Sequence, residues 1–437
     1  MYQVGSALPS LKPSFAFDPA RPIWYYPVDL TWSPESMPLY DLILEAHDRL
    51  KKRVRRTELM YSHYYSEKLG VPLYFKCENL QRTGSFKIRG ALNFMTAQSR
   101  DTLANGVITA SAGNHAQGVA FSADLLGVQA TVYMPEITPP QKVQSTRDYG
   151  AKVVLTGRNF DEACQAAWEA QRSTGALFVH PFDDELVMAG QGTIALEILE
   201  KEPDLKNLIV PVGGGGLIAG MAAAVRAIAP HVRIIGVESV AARSMSLSFN
   251  AGKPCEAPVT VTLADGIAVK RPGSKTLPVI RDYVDEIVLV EEEEIALAIV
   301  SLLERTKLLV EGAGAVPLAA ALHNRIEGLS GKTVCLLSGG NIDVKTIAIV
   351  VDRGLLAAGR YLKLRIELDD LPGSLAELTA EIAAANANIF LISHDRRSKS
   401  LALGKTEVSL ELETRGYEHI REVIEHLEKK GYVLDVG

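Results

Sequence analysis

The hexapeptide Ser85-Phe86-Lys87-Ile88-Arg89-Gly90 sets one lysine between an aromatic ring and a small-residue turn. A lysine amine held among apolar neighbours loses basicity, and its neutral form attacks carbonyls to give Schiff bases. Three glycine-bearing segments follow downstream. Val212-Gly213-Gly214-Gly215-Gly216-Leu217 comes directly after an apolar run and before a helix-like stretch from Ile218 to Ile228. Glycine lets a backbone approach an anion closely, and the amides that open a helix point at it with the favourable end of the dipole. A phosphate would be held there without side-chain charge; a tight strand-to-helix turn is the plainer alternative. The glycines lack the spacing of the dinucleotide fingerprint.

Ser111-Ala112-Gly113-Asn114-His115-Ala116-Gln117-Gly118 also follows an apolar run. Ser111 and Asn114 can present hydroxyl, amide and backbone N–H groups to a carboxylate or phenolate oxygen. The alternative is a helix cap at Ser111 with a buried, hydrogen-bonded His115. In Ser338-Gly339-Gly340-Asn341, Ser338 emerges at the carboxyl end of an apolar strand, the edge at which open α/β sheets bind ligands. Lysine and glycine segments together read as a site for a phosphorylated aldehyde cofactor.

The elements that must position these residues are short apolar runs alternating with helix-like segments: 106–110, 130–134, 152–155, 208–212, 233–237 and 333–337. Nearly continuous apolar runs are what strands buried on both faces need, so mainly parallel sheets with helices on both sides are predicted. Residues 1–37 are rich in Pro, Ser and aromatics without a sustained period and read as an N-terminal arm. Residues 38–352 read as the α/β part, with 355–359 as a joint. Between residues 360 and 437 the texture changes. Leu362, Leu364, Ile366 and Leu368 alternate with polar residues, Leu375, Leu378 and Ile382 fall on one helical stripe, and strands are expected at 389–392 and 406–412. A second helix carries Ile420, Val423, Ile424 and Leu427, and Tyr432-Val433-Leu434 closes the segment. Strand, helix, strand, strand, helix, strand is the ferredoxin-like order of a separate α+β domain.

The bulk properties exclude several classes. The chain of 437 residues has material for two or three domains, and a formal net charge of -6 leaves no electrostatic footprint for nucleic acid. Cys77, Cys164, Cys255 and Cys335 lie far apart without paired metal-ligand spacing, so no metal site and no disulfide framework are expected. The first residues lack a basic start and an apolar core, and the apolar stretch 207–225 is broken by Pro211 and the glycine tetrad. A cytoplasmic protein without a membrane segment follows.

The conjunction of the lysine hexapeptide, the 111–118 segment, the glycine tetrad and the 338–341 segment, in that order, resembles the pyridoxal-phosphate enzymes of fold type II. The resemblance is closest to the threonine/serine dehydratase family and spans roughly residues 40 to 350. It implies that Lys87 carries pyridoxal 5'-phosphate as a Schiff base. It further implies that Gly213, Gly214, Gly215, Gly216 and Leu217 hold the phosphate, that Asn114 bonds the phenolic oxygen, and that Ser338 meets the pyridine nitrogen. Phe86 would pack beside the ring, Ser111, Ala112, Gly113, Asn114 and His115 would receive the substrate carboxylate, and Glu311 matches a family position near the cofactor. The implied reaction is β-elimination on L-threonine, giving 2-oxobutanoate and ammonia, or on L-serine, giving pyruvate. The alternatives are a serine or 3-hydroxyaspartate dehydratase or racemase of the same fold, and, from another class, an amino-acid sensor without turnover. Related serine racemases carry a second serine where this chain has Ala112, which counts against racemisation. Their divalent site would fall near Glu238, Ala242 and Ser244, where Ser244 replaces a carboxylate.

Residues 360–437 resemble the ACT domain, a regulatory unit that binds amino acids between paired copies. Asp370, Leu371, Pro372, Gly373 and Ser374 form its recognisable turn, and isoleucine or valine is the expected effector. A homotetramer or homodimer is implied as well.

Overall fold

Leu208 and Val210 face one apolar core, and Ile209 between them faces another; Val334 and Leu336 likewise oppose Cys335 and Leu337. A strand buried on both faces needs helices above and below its sheet, and this sheet has them. The computed structural model describes residues 38–396 and 401–436. The N-terminal arm expected over 1–37 lies outside the described residues.

The strands are β1 (Leu59–Tyr61), β2 (Leu73–Cys77), β3 (Val107–Ala110), β4 (Ala130–Met134), β5 (Lys152–Leu155), β6 (Leu177–Phe178), β7 (Asn207–Pro211), β8 (Arg233–Ser239), β9 (Glu286–Val290), β10 (Thr333–Leu337), β11 (Tyr361–Asp369), β12 (Asn388–Asp395), β13 (Lys405–Glu413) and β14 (Leu434–Val436). The larger sheet runs β1-β2-β10-β7-β8-β9 and is parallel except for β1, which lies antiparallel on β2. The smaller sheet, β5-β4-β3-β6, is parallel throughout and has its own core around Val107, Val132 and Met134. This is a doubly covered α/β arrangement, with each glycine segment at the carboxyl end of a strand.

All six expected α/β strands are present, three with the expected ends (130–134, 152–155 and 333–337) and three with ends shifted by one or two residues. β1, β2, β6 and β9 escaped the sequence reading. β1 and β6 span three and two residues, too few to show a period. Ser111 caps no helix: the helix opens at Asn114 with Gly113 at its N-cap, and the Ser111 hydroxyl instead accepts from the Gly113 amide at 3.3 Å.

The C-terminal sheet has the order β12-β13-β11-β14 and is antiparallel in every pairing. Leu362, Leu364, Ile366 and Leu368 turn inward against Leu378, Ile382, Val423 and Leu427 of two helices, Ser374–Ala384 and Tyr417–Lys429. Order and connections are those of the ferredoxin-like fold. Two expectations need correction. The last strand starts at Leu434, not Tyr432, because Gly431 (φ +89°) makes the turn that follows the helix and two residues are used in leaving it. The segment 355–359 is mostly helix: Val344–Ala357 is continuous, its Val350 buried in the core of the large sheet, so the boundary set at residue 352 falls inside it. The chain turns at Gly359 (φ +65°). No helix among the described residues is long and apolar enough to cross a membrane.

Candidate active site

Lys87 is the first residue of the helix Lys87–Thr96. Its position is fixed by the segment after β10: Phe86 N–H donates to Ser338 O at 3.0 Å, Ser85 bridges Gly339, and Gly340 N–H donates to Gly84 O at 2.9 Å. Two motifs far apart in the chain thus lie side by side. The Lys87 Nζ donates to the carbonyl of Pro181 at 2.9 Å and sits 5.2 Å from the centroid of the Phe86 ring. Burial lowers its pKa to about 8, against the pull of the Glu311 carboxylate.

The glycine tetrad forms the turn between β7 and the helix Gly216–Ile228. Gly215 has φ +96°, and a Cβ on Gly214 would lie 2.4 Å from the Phe182 ring. Only glycine fits these two positions, one for its backbone conformation and one for space. The turn is tied down from outside: Thr276 Oγ1 donates to Gly214 O at 2.7 Å, and Gly273 N–H to the same oxygen at 3.2 Å. Asp183 in turn accepts the backbone amides of Ser274, Lys275 and Thr276. His180 Nδ1 accepts from the amides of Phe182 and Asp183. Burial, with Lys87 and Lys275 nearby, lowers His180 to about 4 against the pull of Asp183, so the ring is a neutral acceptor that shapes the loop.

Asn114 opens the helix Asn114–Leu126, and its Nδ2 donates to Glu311 Oε1 at 2.6 Å. Glu311 is 5 % exposed, with Gly339 so near that a Cβ there would lie 2.2 Å from Oε1. Burial raises its carboxyl to about 7; the charge of Asp265 adds to this, while Asn114, Lys142 and Lys87 oppose it. Ser338, 2 % exposed, directly follows the strand β10 and lines the same cavity.

One cavity is therefore lined by Phe86, Lys87, Asn114, Gly213 to Leu217, Glu311 and Ser338. Ser111, Ala112 and Gly113 are half-buried beside Asn114 and do not line it. His115 turns away: it is 3 % exposed, its Nε2 pairs with Val179 O at 2.9 Å, and burial, aided by Lys87, lowers it to about 3. Its side chain is a structural donor, as the plainer reading had it. Asp370, Leu371, Pro372 and Gly373 are exposed on the C-terminal sheet domain, with Ser374 half-buried. Glu238 accepts from the amides of Met245 and Ser246, and Ser244 gives its hydroxyl to Val269 O.

Pro181, Phe182, Gln191, Gly266, Ile267 and Val269 also line the cavity and were missed from sequence. Pro181 and Phe182 stand in the polar segment His180-Pro181-Phe182-Asp183-Asp184 directly after β6, a signal that the brevity of that strand concealed. Gln191 lies inside the helix Glu185–Lys201, where nothing local marks it.

Residues 50–339 match the family described as pyridoxal-phosphate dependent enzyme. The L-threonine ammonia-lyase of Geobacter sulfurreducens is 74% identical over 397 residues, covering 91% of this chain and 99% of that protein. Among solved structures, the processed form of threonine deaminase isoform 2 from Solanum lycopersicum has a TM-score of 0.68 at 38% identity, covering 72% of this chain and 93% of that one. Maize serine racemase has a TM-score of 0.68 at 37% identity, covering 72% and 98%. Family match, sheet topology and a buried lysine facing a glycine turn agree, and the chain belongs to the pyridoxal-phosphate dependent enzymes of fold type II.

Proposed function

We propose that the chain is a threonine ammonia-lyase that converts L-threonine to 2-oxobutanoate and ammonia and L-serine to pyruvate and ammonia. The observation that carries this reading is the meeting, in one cavity, of a lysine of lowered basicity with a side-chain-free glycine turn and the Ser338 hydroxyl. These residues fit pyridoxal phosphate. The turn offers amides at a helix N-terminus for a phosphate. Gln191, 1 % exposed, supplies a carbonyl oxygen without a hydrogen-bond partner among the described residues, a ready acceptor for a polar ligand. When bound, the pyridoxal ring supplies an electron sink for the bond broken at Cα.

The residues themselves do the rest. Lys87 would hold the cofactor, and its Nζ would take the Cα proton; an amine whose pKa has fallen to about 8 is poised for that transfer near neutral pH. Asn114 would offer its amide N–H to the phenolic oxygen, and Ser338 would offer an uncharged hydroxyl to the pyridine nitrogen. The segment Ser111 to Asn114, of which Asn114 lines the cavity, would receive the substrate carboxylate. The Cα–H and Cβ–O bonds break, the β-hydroxyl leaves as water, and hydrolysis of the released product yields the 2-oxo acid and ammonia. Racemisation is the second reading, favoured by the likeness to maize serine racemase; Ala112 opposes it, because a methyl group exchanges no proton.

The C-terminal domain, from about residue 360, is read as an ACT-like amino-acid sensor. Its support is the turn at Gly373 (φ +105°), which opens the Ser374–Ala384 helix toward solvent. Isoleucine or valine, binding between copies of a dimer or tetramer, would act by favouring one catalytic state over another. Four free cysteines suit the cytoplasm. The test is 2-oxo acid release from L-threonine, L-serine and D-serine, with and without isoleucine. Activity on L-threonine that vanishes in Lys87→Ala supports the lyase; no oxo acid from any of the three sinks it.

A further inference from the structure

Asn341 closes the motif Ser338-Gly339-Gly340-Asn341, and no part of the reaction above uses it. Its Nδ2 donates to Thr83 O at 2.8 Å and to Asn114 Oδ1 at 2.8 Å. It therefore joins three segments that build the cavity: the one entering Lys87, the helix start at Asn114, and the one leaving β10. The fit is close, since a Cβ on Gly84 would lie 2.2 Å from Asn341 Oδ1.

We propose that Asn341 is a positioning residue: it holds the Asn114 amide with its oxygen turned away, so that the N–H groups face Glu311 and the cofactor. The proposal rests on pyridoxal phosphate occupying this cavity. An asparagine amide has an acceptor end and a donor end of nearly the same shape, so its partners alone decide which way it points. Asn341 offers donors only at this contact, which fixes Oδ1 on its side and sends Nδ2 to Glu311 Oε1 at 2.6 Å.

Glu311 alone gives no such guarantee. As a carboxylate it accepts from the Asn114 amide; once protonated it can donate to the Asn114 oxygen, which permits the flipped amide. The groups facing Glu311 are Asp265, which is paired to Lys142 at 2.8 Å, and Lys87 across the cavity. Burial, with the charge of Asp265, raises its carboxyl to about 7 against Asn114, Lys142 and Lys87, and there both forms coexist. Asn341 thus makes the Asn114 orientation independent of the Glu311 proton.

The test uses the full-length holoenzyme and reads the visible absorbance of bound pyridoxal phosphate against pH. The wild type should hold a constant band across neutral pH. Asn341→Ala should acquire a pH-dependent band with a midpoint near the Glu311 titration, and this dependence should vanish in Asn341→Ala/Glu311→Gln. Cofactor affinity should fall about tenfold in Asn341→Ala, the equivalent of one hydrogen bond. It should fall no further when Asn341→Ala is added to Asn114→Ala. If Asn341→Ala does not fold, Asn341→Asp, of equal size but without the N–H donors, gives the same readouts. A pH-independent band with additive losses would overturn the proposal and leave Asn341 a fold residue. A wild-type chain that takes up no pyridoxal phosphate would overturn the cofactor reading and this proposal together.

Discussion

Arg89 stands between Glu78 and Glu197 and gives each carboxylate two hydrogen bonds: 2.9 and 2.8 Å to Glu78, 2.7 and 3.0 Å to Glu197. Lys76 completes the group, with Nζ 2.5 Å from Glu197 and 2.9 Å from Thr57 O. Two cations and two anions are thus buried together two residues beyond Lys87, joining β2, the Lys87 helix and the Glu185–Lys201 helix. Burial opposes the charge on Arg89, but the two carboxylates more than offset it and its pKa rises. Removing one member leaves an uncompensated buried charge, which costs about 3–5 kcal/mol. Arg89→Leu should lose about that much in urea unfolding. Arg89→Lys should also lose stability, since an ammonium does not bridge two carboxylates bidentately.

Gly214 and Gly215 should respond differently to alanine. At Gly214 the new methyl would meet the Phe182 ring at 2.4 Å, inside the cavity. At Gly215 the backbone itself is left-handed, a strain of about 1–2 kcal/mol for any L residue. Its Cβ would also lie 2.7 Å from Ile280 Cδ1, Met245 Cε and Thr276 Oγ1. Gly214→Ala should therefore weaken pyridoxal-phosphate retention and lower the melting temperature less than Gly215→Ala, which adds backbone strain to its own close contacts. Equal loss of melting temperature in the two variants would contradict this division.

Glu311 makes the stability of the cofactor-free protein depend on pH. Its carboxyl rises from the ordinary 4.5 to about 7, so the folded state holds a proton that the unfolded state has released. Stability should fall as pH rises between those values, by about 3 kcal/mol in all. Lys87, lowered from 10.5 to about 8, works in the opposite sense: stability should rise as pH climbs through that window. Glu311→Gln keeps an acceptor for Asn114 and removes the first slope. It should match the wild type near pH 4.5 and exceed it above pH 7. Parallel stability curves for the two proteins would show that Glu311 does not titrate in this window.

Much of this site is legible in the sequence because glycine and lysine carry local signals. The tetrad Gly213–Gly216 follows an apolar strand that has no other reason to end so abruptly, and Ser338 directly follows another. What stays hidden depends on tertiary contact. His115 looks like a ligand in its motif, yet the Val179 carbonyl fixes its direction from another strand connection. Pro181 and Gln191 enter the cavity from a loop and a helix interior whose local sequence has no special period. The burial of Arg89 is equally unreadable, because its two carboxylates come from distant elements.

The C-terminal domain has a core of its own. Leu362, Leu364, Ile366, Leu378, Val408 and Val423 cluster with one another, whereas Val350 of the preceding helix belongs to the core of the large sheet. Polar ties cross the joint: Tyr417 OH donates to Ala357 O at 2.9 Å, Thr414 Oγ1 donates to Gly359 O at 2.7 Å, and Arg360 pairs with Glu304. Single polar ties of this kind each contribute about 0.5–1.5 kcal/mol at most, far less than a shared apolar core would. A chain ended after Gly359 keeps the whole Val344–Ala357 helix and both α/β sheets. It should fold, bind pyridoxal phosphate and release 2-oxobutanoate from L-threonine, and its rate should no longer change with isoleucine. Loss of the cofactor band on truncation would mean that the catalytic sheets depend on the C-terminal domain for their stability. An undiminished isoleucine response would place the effector site outside that domain.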